Sequence, residues 1–529
     1  MRGIWGRLSR TSALCGTILT AVWSFGAAPV MAQDVVLRSR EGPTVLAGQL
    51  VSFDGELIEI NTALGRFSVD AFLVTCDGIG CPPPDALRPA FRISGSNMLG
   101  MALMPALIEA YGFERDIDVL REPLDASLTR FSLVSTDSSP NTEITLAAPG
   151  TSEAFRELLS QETALGMASR QITGDEIAAL RAAGLSDPQL SGKEHVLALD
   201  GLLVLVSPDN PLRALSIDEV ASIFAGRTTN WSQLGGPNLP ISVHVPGPAT
   251  GTRASFETLV MAPYAAAVAP NAVLHDAQAD LSDAVASDPG AIGIAGFADR
   301  RNARPLDIRL ECGIVAQPDS FSIKAEEYPL ARRLYLYVGD RPMPPQAREL
   351  VAYSLSQQAQ TVIADAGFVD QSITGRGLQM QGMRLASTML AQDDDVPVDE
   401  IRDMVSLLVD AERLSITLRF QPGASLLDTR AEADVERLAS HLASGELDGK
   451  EVMLIGFTDS VGRGDLNRAL SERRATLVRD ALISSLQGSN ANIDLTVLGF
   501  GEMSPLGCNE TFEGRRINRR VEVWVRDPA

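Results

Sequence analysis

ISVHVPGPATGTRASFETLV, residues 241–260, passes from one kind of secondary structure into another. Ile241–Val245 reads as a short strand, Thr250-Gly251-Thr252-Arg253 as a turn and Ala254–Leu259 as a helix. The same order occurs twice more. Phe91–Ile93 leads through Ser94-Gly95-Ser96-Asn97 into a helix over Met98–Tyr111, and Ile144–Ala147 leads through Gly150-Thr151-Ser152 into a helix over Glu153–Leu159. Short apolar strands alternating with amphipathic helices across 88–377 indicate an α/β domain. At each junction the first helical N–H groups lack intrahelical partners, and the macrodipole adds about +0.5 charge. Gly admits close approach, and hydroxyls add neutral donors, so such a loop suits an oxyanion without a basic patch. One loop of this kind is an ordinary N-cap. Three in one domain point to a shared site.

The 529 residues are 45% hydrophobic and 21% charged, which excludes a disordered, collagenous or coiled-coil chain. At roughly 100–200 residues per domain, about three domains are expected. With 45 Lys and Arg against 67 Asp and Glu, the net charge of −22 repels polyanions and argues against nucleic acid as a partner. Any bound anion must be held by local dipoles and chosen side chains. No His pair has ligand spacing, no nucleophile elbow or Ser–His–Asp order is present, and His195, His244, His275 and His441 sit in no motif. The expectation is a protein that is not an enzyme, with no catalytic residues, metal or cofactor.

Arg2, Arg7 and Arg10, an apolar run through Ala28 and the step Val30-Met31-Ala32 make residues 1–32 a secretory signal peptide. No later stretch reaches about 18 uninterrupted apolar residues. The longest, Val196–Val206, contains Asp200. Export makes disulfides the default. Cys76 and Cys81 close a small loop turned by two glycines and are expected to pair, whereas Cys312 and Cys508 either join two domains or remain buried thiols. Residues 34–85 read as a small all-β module, with strands at Val35–Leu37, Thr44–Ala47, Leu50–Phe53, Leu57–Asn61, Arg66–Val69 and Leu73–Thr75. Residues 378–413, with Gln379, Gln381 and Asp393-Asp394-Asp395, read as a linker.

Asn210-Pro211, Ile223-Phe224-Ala225-Gly226, Asn230-Trp231 and Leu234-Gly235-Gly236, followed by Thr250-Gly251-Thr252-Arg253, resemble the phosphate-binding periplasmic proteins of ABC importers. Residues 164–170, Ala291-Ile292-Gly293-Ile294 and Ala366-Gly367-Phe368-Val369 fit the same family. The resemblance implies a two-lobed clamshell of the type II periplasmic-binding-protein class over 88–377, holding phosphate or a similar small anion between its lobes and, in such systems, serving an ABC permease. Its ligand loops map to Ser96 and Asn97, Gly150, Thr151 and Ser152, Ser169 and Arg170, and Thr250, Gly251 and Thr252. Two positions depart from the family. Arg170 stands where an Asp would accept the proton of the ligand, and Pro246 stands where an arginine is expected. Arg170 or Arg253 is the candidate replacement for that guanidinium.

Residues 414–529 order as strand, helix, strand, helix, strand, strand: Ile416–Phe420, Ala431–Leu442, Val452–Phe457, Asp465–Leu486, Leu495–Phe500 and Arg520–Val525. Asn467, Ser471 and Arg474 share a helix face that borders the apolar stripe of Leu466, Leu470, Leu477 and Val478. Together with Thr458-Asp459, Leu470-Ser471, Arg474-Ala475 and Asn518-Arg519-Arg520-Val521, this resembles the peptidoglycan-associating domain of the outer-membrane protein A family. The resemblance implies a βαβαββ α+β domain in which Asp459 and Arg474 hold the diaminopimelate of a wall peptide, with Thr458, Asn467 and Ser471 around them. Phe457 replaces the usual His before Thr-Asp.

The expected molecule is a multidomain α/β protein of a Gram-negative periplasm, associated with peptidoglycan and with the outer membrane as a further candidate location. It is expected to capture a small oxyanion, phosphate foremost. The alternative is a structural wall protein whose clamshell is a ligand-free spacer or docking module.

Overall fold

The computed structural model describes residues 34–40, 42–53, 57–83, 89–135, 141–248, 250–378, 398–420, 426–487 and 494–528. The expected signal peptide, residues 1–32, and the acidic run Asp393–Asp395 of the expected linker lie outside these. The chain falls into two compact units, residues 1–87 and 88–529.

In the first unit five strands form an antiparallel sheet in the order Gly65–Asp70, Leu57–Thr62, Val45–Phe53, Val35–Ser39, Val74–Asp77. Alternation buries Val35 and Leu37, and Ile58 and Ile60, on one face with Ala71 and Val74. Cys76 and Cys81 form a disulfide. The strands expected at Thr44–Ala47 and Leu50–Phe53 are one strand, Val45–Phe53, with a register shift between Leu50 and Ser52. Gly48 reads as a break but lies within the ladder, where a Cβ would come 2.4 Å from Asn61 O.

The second unit contains an 11-stranded mixed sheet whose middle is built from two long strands. Glu194–Val206 pairs through Glu194–Gly201 with Ala331–Val338, and through Leu202–Val206 with Ala291–Gly296. Nearly every residue of Glu194–Val206 is buried, as befits a strand covered on both faces. On one side of the crossing lie Ala90–Gly95, Thr142–Ala147 and Leu165–Ala168, packed with Leu103, Leu107, Ile108 and Ile363. On the other lie Ser242–Pro246, Val273–His275 and Ala291–Gly296, packed with Phe224, Trp231, Phe256 and Leu281. Two cores joined by two crossing strands make the expected clamshell. Part of its motif is scaffold: Trp231 is fully buried and donates its indole N–H to Gly290 O, 3.1 Å away.

Two expected helices are interrupted. The one expected over Met98–Tyr111 opens with a wide π-turn, Leu99–Leu103, before Met104–Glu114. The one expected over Ala254–Leu259 begins at Gly251 and widens at Glu257–Met261. A proline follows each wide turn, Pro105 and Pro263, and neither can donate the next helical N–H.

The C-terminal sheet has the order Gly375–Gly377, Glu412–Arg419, Arg520–Arg526, Glu451–Phe457, Asp494–Gly499. Helices Thr429–Ala443 and Gly464–Ser485 cover one face, where Leu438, Leu442, Val478 and Leu482 meet Val452, Leu454, Val521 and Val523. The opposite face buries Met453, Ile455, Phe457 and Trp524 under Ile401, Met404 and Leu408. Those last three belong to helix Val398–Leu408, so the end of the stretch expected to be linker is folded into this domain. A further short helix, Phe512–Asn518, precedes the last strand.

The C-terminal domain is fastened to the clamshell. Cys312 and Cys508 form a disulfide. Glu326 receives the guanidinium groups of Arg333, Arg419 and Arg430, and Arg333 also pairs with Asp428 at 3.0 Å. Burial alone would raise the Glu326 carboxyl, but Arg333, Arg430 and Arg419 outweigh it and hold it well below the usual carboxylate range.

Candidate functional site

The loops at the strand ends converge on one cleft, lined by Ser96, Asn97, Gly150, Thr151, Ser152, Ser169, Arg170, Thr250 and Gly251, which forms one end of a cavity of about 1780 Å³ that continues to Arg419, Phe420 and Asp428 of the C-terminal domain. Several of their backbone donors are engaged in holding the loops together. Ser96 N–H donates to Met167 O at 2.9 Å, Gly150 N–H to Gly95 O at 2.8 Å and Ser169 N–H to Thr151 Oγ1 at 3.0 Å. Thr151 Oγ1 and Ser169 Oγ are also 3.0 Å apart. Gly95 is required here: its φ is 138°, and a Cβ would fall 2.0 Å from Met167 O. Across the cleft, a Cβ on Gly251 would lie 3.3 Å from Ser169 Oγ, so the loops of the two lobes nearly touch. Ser96 Oγ is buried and has no hydrogen-bond partner among the described residues.

The two candidate arginines are each paired with a carboxylate. Arg170 forms a two-pronged pair with Glu176, at 2.9 and 2.8 Å, and lies over the Phe155 ring. Arg253 donates to Glu257 at 2.7 Å and to Pro246 O at 3.4 Å. Thr252 is 1% exposed and lies beneath the cleft lining. Arg332, on strand Ala331–Val338, lines the cleft beside Gly251, and the sequence reading missed it. Its Nε and NH2 donate to Asp200 Oδ2 at 2.9 and 2.6 Å. Its NH1 donates to Gly251 O at 3.0 Å and to Ser255 Oγ. Burial, with Asp200 nearby, pushes the Asp299 carboxyl up. Asp200 was visible as the one charge within the longest apolar run. A carboxylate there is buried by the strand pattern and requires a cation on a neighbouring strand.

In the C-terminal domain, Asp459 follows strand Glu451–Phe457. Its Oδ2 accepts from Arg519 at 2.7 Å and its Oδ1 from Val461 N–H at 3.1 Å. Arg474 reaches over the Phe420 ring with NH1 buried and without a hydrogen-bond partner among the described residues, and burial and Arg519 push its pKa down. Asn467 donates to Asp459 O at 3.3 Å and to Glu502 at 2.8 Å. Ser471 is fully buried and accepts from Gly501 N–H at 3.0 Å, so it fastens the helix to the adjoining loop. Thr458 N–H donates to Gly501 O at 2.7 Å. Phe457 points into the opposite core, away from Asp459. Two guanidinium groups beside one carboxylate can receive a carboxylate and an ammonium together.

Residues 124–358 match the PBP superfamily domain, and residues 419–519 match the OmpA family. The chain carries both. Protein SphX of Synechococcus elongatus is 28% identical over 241 residues, 43% of this chain and 69% of that protein. Phosphate-binding protein PstS of Staphylococcus haemolyticus is 27% identical over 239 residues, 44% of this chain and 72% of that one. The OmpA domain is 36% identical over 119 residues to outer membrane porin F of Pseudomonas aeruginosa, 22% of this chain and 32% of the porin. The chain therefore spans about a third of the porin's length. Among the described residues, no helix is long and apolar enough to cross a membrane.

Proposed function

We propose that this protein is a solute receptor of the bacterial envelope that captures phosphate or a similar tetrahedral oxyanion in its PBP domain and holds peptidoglycan through its OmpA domain. The observation that carries the first half is the convergence of Ser96, Thr151, Ser152, Ser169 and Thr250 on one interlobe cleft with a guanidinium at its base. The family match and the PstS relative support the same reading. The second half is supported by the grouping of Asp459, Arg519 and Arg474, whose charges suit the zwitterionic end of diaminopimelate. Neither half requires chemistry on the ligand, which fits a binding protein. The location this implies is the periplasm, at the peptidoglycan layer. Calorimetric titration of the chain with phosphate, sulfate and a small organic acid tests the receptor, with sub-micromolar phosphate binding expected. No heat with any of the three would reject it.

The second reading, a ligand-free spacer, is favoured by one observation. Arg170, Arg253 and Arg332 are each already engaged by a carboxylate. Absence of anion binding together with retained peptidoglycan binding would select it.

A further inference from the structure

We infer that the cation contacting the bound anion is Arg332, supplied by a strand that crosses the hinge, and that Asp200 on the neighbouring crossing strand is its positioning residue. This inference rests on the oxyanion-receptor reading above and names the charge that reading requires. The known family position for an arginine, beside the Thr250 loop, holds Pro246, and the two arginines nearest the loops are turned onto Glu176 and Glu257. Arg332 stands where both lobes meet. Its NH1 reaches Gly251 O and Ser255 Oγ on one lobe, while its NH2 lies 3.2 Å from Met98 Sδ on the other.

The pair is built to hold one geometry. Arg332 and Asp200 are register partners on adjacent strands, with side chains 6% and 1% exposed. Asp200 Oδ1 accepts from Phe297 N–H at 3.0 Å, which fixes the carboxylate while Oδ2 holds the guanidinium. Two of the contacts made by NH2 are weak, Met98 Sδ and Thr252 Oγ1 at 3.3 Å. An oxyanion entering beside Gly251 would replace these neutral acceptors with a charge-assisted hydrogen bond without disturbing the Asp200 contact. The orphaned Ser96 hydroxyl, 1% exposed and lining the same cleft, offers a further donor. The arrangement supplies positive charge from the hinge, so ligand charge is felt by both lobes at once.

The test is calorimetry with inorganic phosphate on the full chain, at pH values below and above the second ionisation of phosphate. Arg332→Lys keeps the charge but loses the planar fork and is expected to weaken binding at least tenfold. The double variant Asp200→Asn with Arg332→Gln leaves no unpaired buried charge. It is expected to weaken binding at least a hundredfold, and to lose the preference for the dianion over the monoanion expected of the unaltered chain. Thermal melting of the unliganded variants establishes that they fold, and if the double variant does not fold, Arg332→Lys decides. Binding by the folded double variant within threefold of the unaltered chain overturns the assignment to Arg332 and leaves the receptor reading standing. A uniform loss with the dianion preference unchanged also overturns it, because the pair would then be only structural. If the unaltered chain binds neither phosphate nor sulfate, the receptor reading itself fails, and this inference with it.

Discussion

Ser96, Asn97, Thr151, Ser152, Ser169 and Thr250 bring donors to the cleft but no carboxylate, and both oxygens of Asp200 are already engaged. An oxyanion held by these loop donors and Arg332 alone meets no carboxylate there, so a fully ionised ligand is not rejected for the proton it lacks. Sulfate is therefore expected to compete with phosphate within about tenfold, roughly 1.4 kcal/mol, in displacement calorimetry. Discrimination of a hundredfold or more would mean that a carboxylate reaches the ligand. In the OmpA domain, Asp459 is the acceptor between Arg519 and the half-buried Arg474. Asp459→Asn leaves two guanidinium groups facing a ligand ammonium, so co-sedimentation with purified peptidoglycan should fall at least about tenfold. Retention of the wall by that variant would leave Asp459 as a partner for Arg519 alone.

Buried His244 on strand Ser242–Pro246 pairs with the partly buried His275 at the end of strand Val273–His275. His244 Nδ1 lies 2.9 Å from His275 Nε2, and His275 O accepts from Gly247 N–H just before the Thr250 loop. Burial first, and then His275, pushes His244 below its ordinary 6.5, with Asp288 opposing. Its neutral form therefore stabilises the fold above the ordinary value, and this contribution is lost as pH falls through the lower folded value. Amide protection factors at Gly247 and Thr250, normalised for the intrinsic pH dependence of exchange, should fall on acidification below about 6.5, and this change should shrink in His244→Asn. Helix Val398–Leu408 makes a second test. Met404 is 2% exposed beneath the OmpA sheet. Met404→Ala should cost about 2–5 kcal/mol in urea unfolding of the OmpA domain, whereas a linker residue would cost nothing measurable.

The clamshell and the OmpA domain are parts of one compact unit, joined by Cys312–Cys508 and by three arginines around Glu326. Because Glu326 titrates well below its ordinary range, its stabilisation is present above the usual glutamate value of about 4.3 and is lost only as pH falls through the depressed one. Glu326→Gln leaves uncompensated buried cations and should destabilise the protein by about 3–5 kcal/mol at pH 7. Calorimetric melting across pH 3–7 should also show a flatter acid limb for that variant. An unchanged melting temperature at pH 7 would mean that the docking is carried by other contacts. Phe420 lies beneath Arg474 and also lines the cavity. Phe420 thus stands between the Arg474 side chain and the cavity that the anion loops line.

Local pattern was sufficient for much of this. Period-2 burial at Val35/Leu37 and Ile58/Ile60, the recurring strand–loop–helix junctions, and the Asp459 to Arg474 spacing are all set by neighbours within a few turns of chain. The same holds for Cys76 and Cys81, five residues apart. The amphipathic spacing of Ile401, Met404 and Leu408 was also legible, but the acidic run before it suggested a linker. Other features depend on residues distant in sequence. Pairing of Arg332 with Asp200 follows from the register of two crossing strands, and pairing of Cys312 with Cys508 from domain docking. The turning of Arg170 and Arg253 onto carboxylates was a rotamer choice among several nearby acids. Composition and spacing identify which groups can meet, whereas burial and strand register decide which of them do, because a buried charge persists only where the fold delivers its partner.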